Sequence, residues 1–270
     1  MLSRKLGLWV LLAVFAASNA YSECLEPATE VSDVYPRAEV LPENLLRLYI
    51  YFSNPMSRDG IPPSISLLDH QGDPITGVFL DNLYELWSPD GTRLTVLFDP
   101  GRVKTGLVAH NQQGRALIPG AAYAIRIADA LDTKGCPLKR SFTKQFQAQE
   151  AYATQLDVDQ WQLSHPASGT REPLSVNFDR EMDHLSLAYR MRVEDSEGNR
   201  IRGALSLVDN EQVWVFTPSS PWQSKGYRIA IDTALEDVAG NRLTGLFDRP
   251  STEGSLTAPP EKQYVFFTPN

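Results

Sequence analysis

The stretch that decides the fold is LRLYIYFSNPMS at residues 46–57, because a version of it returns as LSVNFDREMD at residues 174–183. A shift of 126 residues superimposes the phenylalanine and the methionine of the two stretches, and the match continues through the following turn. The same order of landmarks then recurs at smaller shifts as far as Phe247. An internal repeat of this length predicts two copies of one structural unit.

Apolar residues alternate with polar or aromatic residues in both copies, as at Leu46, Leu48, Ile50 and Phe52. Period two over four to eight residues is typical of half-buried strands, and glycine-containing turns separate these strands. No strongly periodic helix longer than about two turns is present. The sequence therefore predicts an all-β protein of two tandem β-sandwiches, residues 21–150 and 151–270, with an extra loop at residues 101–117 of the first.

The N-terminus has the pattern of a secretory signal peptide. Arg4 and Lys5 precede an apolar run, and small residues lead up to Ala20. This pattern predicts a signal peptide at residues 1–20, cleaved after Ala20, and export to the periplasm or the cell surface. The run is too short for a comfortable membrane span, and no later segment approaches 18 consecutive apolar residues, so we expect no transmembrane segment in the mature chain.

The net charge of the chain limits the kinds of partner that it can bind, and its cysteine content indicates whether it contains a disulfide. The net charge of −8 disfavours binding to nucleic acid and to anionic membrane surfaces. The two cysteines, Cys24 and Cys136, are an even pair in an exported chain, which favours a disulfide over two free thiols. The residues before Cys24 lack the leucine and small residues of a lipoprotein signal, so a lipid anchor is the less favoured interpretation.

The second copy carries motifs of a known family. These are the strand ending in Phe178 with Met182-Asp183 after it, the Trp-Val-Phe-Thr-Pro segment 214–218, Gly226-Tyr227, and the turn 237–241. In this order they resemble the bacterial Ig-like domain of the S-layer (SbsA-type) family. The first copy keeps residues 52–57 and diverges elsewhere. The resemblance implies two Ig-like sandwiches, with no catalysis and no cofactor.

The repeated residues have a packing explanation. Large apolar residues at strand ends fill a sandwich core, methionine fills irregular gaps, and a tyrosine at a strand start buries its ring while its hydroxyl finds a hydrogen bond. We therefore expect framework roles, and no ligand contacts, for Phe52, Phe178, Met56, Met182, Tyr123 and Tyr227.

Side chains with catalytic or metal-binding chemistry are dispersed. No histidine (His70, His110, His165 or His184) has another histidine or a cysteine at metal-ligand spacing. A copper-binding sandwich of the CopC type remains an alternative, although that family relies on a histidine at the mature N-terminus, where this chain has Tyr21. No Gly-x-Ser-x-Gly motif is present.

Acidic residues occur in predicted turns, where they either stabilise the turn or belong to a metal or catalytic site. Asp195, Glu197 and Asn199 alternate in a predicted turn, which is either a plain hairpin or a weak Ca²⁺ site. Neighbouring carboxylates such as Glu236 and Asp237 are expected to be loop residues instead of a glycosidase pair.

Two loops of the first copy lie outside the repeated framework. One contains Tyr84 and Trp87, and the other contains Arg102 and Lys104 within the extra loop. Loops displayed on a rigid scaffold often bind ligands, and aromatic and basic side chains suit sugars and anions. We expect an exported, non-catalytic protein with a binding, adhesion or structural role. The alternatives are a carbohydrate- or cell-wall-binding module that uses these loops, and a periplasmic copper-binding protein. The expected partner is a cell-envelope protein or a glycan.

Overall fold

The structure is a computed structural model that describes residues 24, 28–58, 63–80, 86–105, 111, 113–248 and 260–270 of the chain. The predicted signal peptide, its cleavage site after Ala20, and Tyr84 lie outside the described residues. Within the described ranges, no helix is long and apolar enough to cross a membrane.

The N-terminal half, residues 28–149, forms two sheets. Its elements are β1 (Val31–Tyr35), β2 (Val40–Pro42), β3 (Arg47–Phe52), β4 (Ser64–Leu68), β5 (Pro74–Ile75), β6 (Arg93–Leu97), the short helix α1 (Pro100–Val103), β7 (Ala122–Ala128) and β8 (Phe142–Gln149). One sheet has the order β1-β3-β6 and the other has the order β2-β8-β7-β4-β5. The pairings are antiparallel, except that β2 runs parallel to β8.

The C-terminal half, residues 156–270, also forms two sheets. Its elements are a short 3₁₀ turn (Val158–Gln160), β9 (Gln162–Leu163), β10 (Leu174–Asn177), helix α2 (His184–Arg190), β11 (Met191–Asp195), β12 (Gly203–Val208), β13 (Val213–Pro218), β14 (Tyr227–Asp232) and β15 (Lys262–Phe267). The sheet orders are β12-β13-β10-β9 and β11-β14-β15, and all pairings are antiparallel.

The buried residues form two hydrophobic clusters, one centred in each half, and Val238 of the C-terminal half belongs to the N-terminal cluster. In the N-terminal half, Leu48 and Ile50 of β3 share a cluster with Ile125 and Ile127 of β7. These strands belong to different sheets, so the two sheets pack face to face. Each fully buried aliphatic side chain stabilises the fold by roughly 1.5–3 kcal/mol through the area it removes from water. The predicted all-β fold is confirmed.

The two halves use the same local arrangements at corresponding positions. Met56 forms an isolated bridge with Asp132, and Met182 forms one with Asp237. Both methionines are buried in the hydrophobic clusters, which confirms the packing role predicted for them.

The two repeated tyrosines also act alike. The Tyr123 hydroxyl accepts a hydrogen bond from the Ile118 amide at 2.9 Å, and the Tyr227 hydroxyl accepts one from the Gln223 amide at 3.1 Å. Their rings are buried. Each phenol therefore fixes the loop that leads into its own strand.

A disulfide joins Cys24 to Cys136, with Cα atoms 5.4 Å apart. Cys136 lies in a turn organised by the Asp132 carboxylate, which accepts hydrogen bonds from the amides of Lys134 and Cys136, both at 2.9 Å. The bridge thus ties Cys24, which follows the predicted signal peptide, to a hydrogen-bonded turn of the N-terminal half.

Candidate functional site

Buried charges collect where the two halves meet. Arg47 of β3 forms an ion pair with Glu236, and its Nε lies 3.6 Å from the Asp183 carboxylate. The Asp183 side chain is almost completely buried. Burial raises the pKa of the Asp183 carboxyl, and the Arg47 guanidinium opposes that rise. Burying a carboxylate is unfavourable unless the carboxylate is paired with a cation, so Arg47 stabilises the contact between the two halves. We call this contact the joint.

The same carboxylate has two further structural partners. The Tyr49 hydroxyl donates to Asp183 Oδ2 at 2.7 Å, and the Ser186 amide donates to Asp183 Oδ1 at 2.8 Å, which caps helix α2. Burial and then the Asp183 charge raise the pKa of the Tyr49 phenol, so it stays protonated as a donor. Shifted pKa values often mark catalytic sites, but ion-pair networks also produce them. Here each group is already bound to another part of the chain.

His184 follows this aspartate and packs into an aromatic box. Its ring stacks on Tyr35 with centroids 3.7 Å apart, and its Nε2 lies 3.1 Å from the Tyr51 hydroxyl. Burial, reinforced by the Arg37 guanidinium, lowers the pKa of His184 to about 4. The imidazole is therefore neutral at pH 7, and it acts as an aromatic contact between the halves.

Two asparagine side chains form hydrogen bonds with Tyr152, which lies in the segment that links the halves. Asn44 donates to the Tyr152 carbonyl at 3.1 Å and accepts from the Tyr152 amide at 3.0 Å. Asn241 donates to the same carbonyl at 2.9 Å. The Tyr152 hydroxyl donates to Glu181, and the Arg180 guanidinium lies over the Tyr152 ring. Tyr152 is thereby held from both halves at once.

The extra loop at residues 101–117 contacts the C-terminal half through its described residues. The Thr105 amide donates to Asp248 Oδ1 at 2.5 Å, and Arg115 forms an ion pair with the same carboxylate at 3.4 Å. Lys104 Nζ lies 4.2 Å from the centroid of the Phe247 ring. The extra loop, which the second copy lacks, therefore connects the two halves through these contacts.

The predicted ligand residues have structural partners. Trp87 packs against the N-terminal core and lies 5.6 Å from Phe52, measured between ring centroids. Arg102 donates to the carbonyls of Gly114 at 2.9 Å and Gly77 at 3.3 Å. Trp87 pairs with the start of β6 and Arg102 follows its end, so a strand of roughly 16 Å separates them. The structure does not bring them together, and Tyr84 lies outside the described residues.

A pocket of about 180 Å³ lies at the joint. Its polar lining includes Asn44, Asn241, Arg115 and Asp248. The two asparagines bind Tyr152, and the arginine binds the aspartate. These side chains are engaged in holding the halves together.

No group of three histidine, cysteine, aspartate or glutamate side chains is placed to hold a metal ion among the residues described. The Asp195 carboxylate accepts the amides of Glu197 at 3.0 Å and Asn199 at 2.9 Å, which is the geometry of a hairpin turn. His110 lies outside the described residues.

An exposed aromatic pair lies on the outer face of the sheet β11-β14-β15. Phe266 is 72% exposed and Tyr264 is 39% exposed, with ring centroids 6.4 Å apart. The Arg228 guanidinium of β14 lies 4.3 Å from the Tyr264 ring and pairs with Glu194 at 2.8 Å. We call these four residues the aromatic face. The sequence KQYVFF at residues 262–267 has apolar residues on both faces of its strand, so its pattern does not distinguish the exposed face from the buried one.

Comparison with known families gives a match within the C-terminal half. Residues 153–253 match the family model of the bacterial Ig-like domain. This match supports an Ig-like domain in the C-terminal half, and domains of that family are generally non-catalytic. None of the curated protein sequences matches the chain. An Ig-like domain of bacterial type and a disulfide are compatible with an extracellular or periplasmic location.

Solved structures offer distant likenesses. CopC from Methylosinus trichosporium OB3b is 14% identical, with a TM-score of 0.28, over 47% of this chain and 99% of that one. The N-terminal part of the bacterial S-layer protein SbsC is also 14% identical, with a TM-score of 0.31, over 81% and 43%. Alpha-2-macroglobulin from Escherichia coli, domains MG0-NIE-MG1, is 10% identical, with a TM-score of 0.28, over 79% and 69%. Similarities of this size carry no argument about activity or ligand.

Proposed function

We propose that this protein is an exported, non-catalytic binding or structural protein of the bacterial envelope. It is built from two tandem Ig-like units, residues 21–150 and 151–270, the second of the SbsA type. The observation that carries the proposal is the joint, where the buried polar side chains bind the other half. Asp183, Tyr49 and Arg47 are one such group, and Asn44 with Tyr152 is another.

A joint of this kind suits a protein that presents a surface at a fixed distance and angle. Relative motion is expected unless the interface between domains is hydrophobic, and here Val238 and Phe247 of the C-terminal half pack with the hydrophobic cluster of the N-terminal half, in addition to the ion pairs and the extra loop. Such a rigid pair resists bending and can display a binding face or act as a spacer.

Two measurements test the proposal: export of the protein to the periplasm and its thermal unfolding. The full-length chain, carrying a C-terminal affinity tag, is expressed in a Gram-negative host, and protein is recovered from the periplasmic fraction. We expect its first residue to be Tyr21, and we expect a single calorimetric unfolding transition because the two halves are coupled through the joint. Asn44→Ala removes two hydrogen bonds at the joint and should split or broaden that transition.

The matched control is Asn54→Ala, which removes an amide that bonds to Thr29 within one half. It should lower the transition temperature without splitting the transition. Recovery of the chain only from the cytoplasm, or two separate transitions in the unmodified protein, would contradict the proposal.

A second candidate function is glycan binding, and the aromatic face favours it. Pyranose rings stack on exposed aromatic side chains, and an adjacent guanidinium can donate to their hydroxyls. Phe266 and Tyr264 lie on the same face of β15, with Arg228 of β14 next to them. The glycan site that we propose on these grounds lies in the C-terminal half, away from the loops of Trp87 and Arg102.

Binding to insoluble cell-wall glycan tests this candidate. Phe266→Ala should reduce the bound fraction at least tenfold, because the stacking surface is lost. Tyr189→Ala, which removes an aromatic side chain 79% exposed elsewhere, should leave binding unchanged. Binding of the Phe266→Ala variant equal to that of the unmodified protein would contradict glycan binding by the aromatic face. If only the Trp87→Ala variant lost glycan binding while remaining folded, the result would indicate that the binding site lies in the loops of the first unit.

A further inference from the structure

Strand β12 is an open edge that lacks the usual protection. It lies at the end of the sheet β12-β13-β10-β9, and no other described strand pairs with its outer side. Its sequence, GALSLV at residues 203–208, contains no charge and no proline. Leu205 is 38% exposed and Val208 is 46% exposed. Natural edge strands usually carry lysine, proline or a bulge, because an unprotected edge pairs with other strands.

The hydrogen-bond pattern shows which backbone groups face outward. The Ser219 amide donates to the Arg202 carbonyl at 2.8 Å, so residue 202 directs its backbone groups toward β13. In an antiparallel pair this direction alternates along the strand. Gly203, Leu205 and Leu207 therefore point their N–H and C=O groups away from the sheet, ready for another strand.

Opposite charges flank the two ends of β12. Arg200 and Arg202 precede the strand, Asp209 follows it, and all three are exposed. An antiparallel copy of the same strand would bring the basic start of one chain beside the acidic end of the other. A parallel copy would place like charges together. The charge pattern therefore selects a second copy of this chain in the antiparallel direction.

We propose that β12 is a dimerisation edge that pairs antiparallel with β12 of a second copy. The outward-facing groups are used most fully when Leu205 lies opposite Leu205 of the second copy, which forms about six hydrogen bonds. In that register residue 202 lies opposite residue 208 of the second copy and residue 201 lies opposite Asp209, so the basic start of each strand lies at the same end as the acidic end of the other. The two four-stranded sheets become one continuous sheet across a two-fold axis, as expected for an isologous dimer.

Sedimentation of the mature chain over a range of concentrations tests the dimer. Leu205→Lys should weaken dimerisation at least tenfold, because it places two like charges on the two-fold axis. Val40→Lys is the matched control, since Val40 is 42% exposed on β2, the edge of a different sheet. It should leave the dimer intact. Asp209→Asn keeps a residue suited to the positive φ of 51° and should weaken dimerisation severalfold.

Cysteine cross-linking tests the register. Leu205→Cys should form a disulfide-linked dimer on mild oxidation, because the two Cα atoms of such a pair lie about 5.5 Å apart. Val208→Cys should not, since its two copies would lie roughly 20 Å apart. A monomer at every concentration, an unchanged dimer in the Leu205→Lys variant, or equal cross-linking by both cysteine variants would each overturn the proposal.

Discussion

Replacing Arg47 by alanine is expected to lower the free energy of unfolding by about 3 kcal/mol. Arg47 is the cation that offsets the buried charge of Asp183, and it also pairs with Glu236. Without it, Asp183 is left in a site where burial already raises the pKa of its carboxyl. Urea unfolding at pH 7, followed by tryptophan fluorescence, measures the change through the transition midpoint.

The matched control is Arg242→Ala. Arg242 binds the same Glu236 carboxylate, but half of its side chain is exposed and Arg47 remains to pair with that carboxylate. Its loss should cost less than about 1 kcal/mol, as for other exposed ion pairs. Equal destabilisation by the two variants would show that burial of Asp183 is not the decisive factor.

Replacing both cysteines by serine is expected to destabilise the mature chain by about 4 kcal/mol. The bond between Cys24 and Cys136 closes a loop with a sequence separation of 112. A cross-link over so long a loop restricts the unfolded chain far more than the folded one. The urea midpoint of the double variant, compared with that of the oxidised unmodified chain, gives the measurement.

Reduction supplies the internal control for the disulfide. Dithiothreitol should lower the midpoint of the unmodified protein to that of the Cys24→Ser, Cys136→Ser variant, and it should leave the variant unchanged. A midpoint insensitive to reduction in the unmodified chain would be evidence against the expected stabilisation.

The framework residues could be predicted because their roles are local and repeated. Alternation identified β3 and β10, and burial of Met56 and Met182 followed from their place after a strand. The pairing of Cys24 with Cys136 followed from the number of cysteines and the predicted signal peptide. In each case the deciding information lies within a short stretch or in a count.

The joint could not be predicted in the same way. Asp183 and Tyr49 are 134 residues apart, and no local pattern specifies that they meet. The extra loop looked like a ligand loop because packing within one sandwich did not explain it. Its described residues instead reach Phe247 and Asp248 of the other half. A contact between two folded units depends on their relative placement, which alternation and turn signals do not encode.

The aromatic face shows a second limit of pattern reading. Alternation predicts that neighbouring residues face opposite sides, but it does not say which side is buried when both carry aromatic residues. Phe267 is buried and Phe266 is exposed. Conversely, Trp87 looked available for a ligand and lies against the core. Only the packing of the sheets distinguishes these cases.

The loop at residues 237–241 has a consequence for fragments of this protein. Val238 belongs to the hydrophobic cluster of the N-terminal half, and its carbonyl accepts the Leu46 amide at 3.0 Å. Gly240 comes so near Leu46 that an added Cβ would lie 2.6 Å from its side chain. A fragment that stops near residue 150 would therefore lack part of its own hydrophobic core and expose that gap to water. Proteolysis between the halves would therefore remove an apolar contact from the N-terminal core.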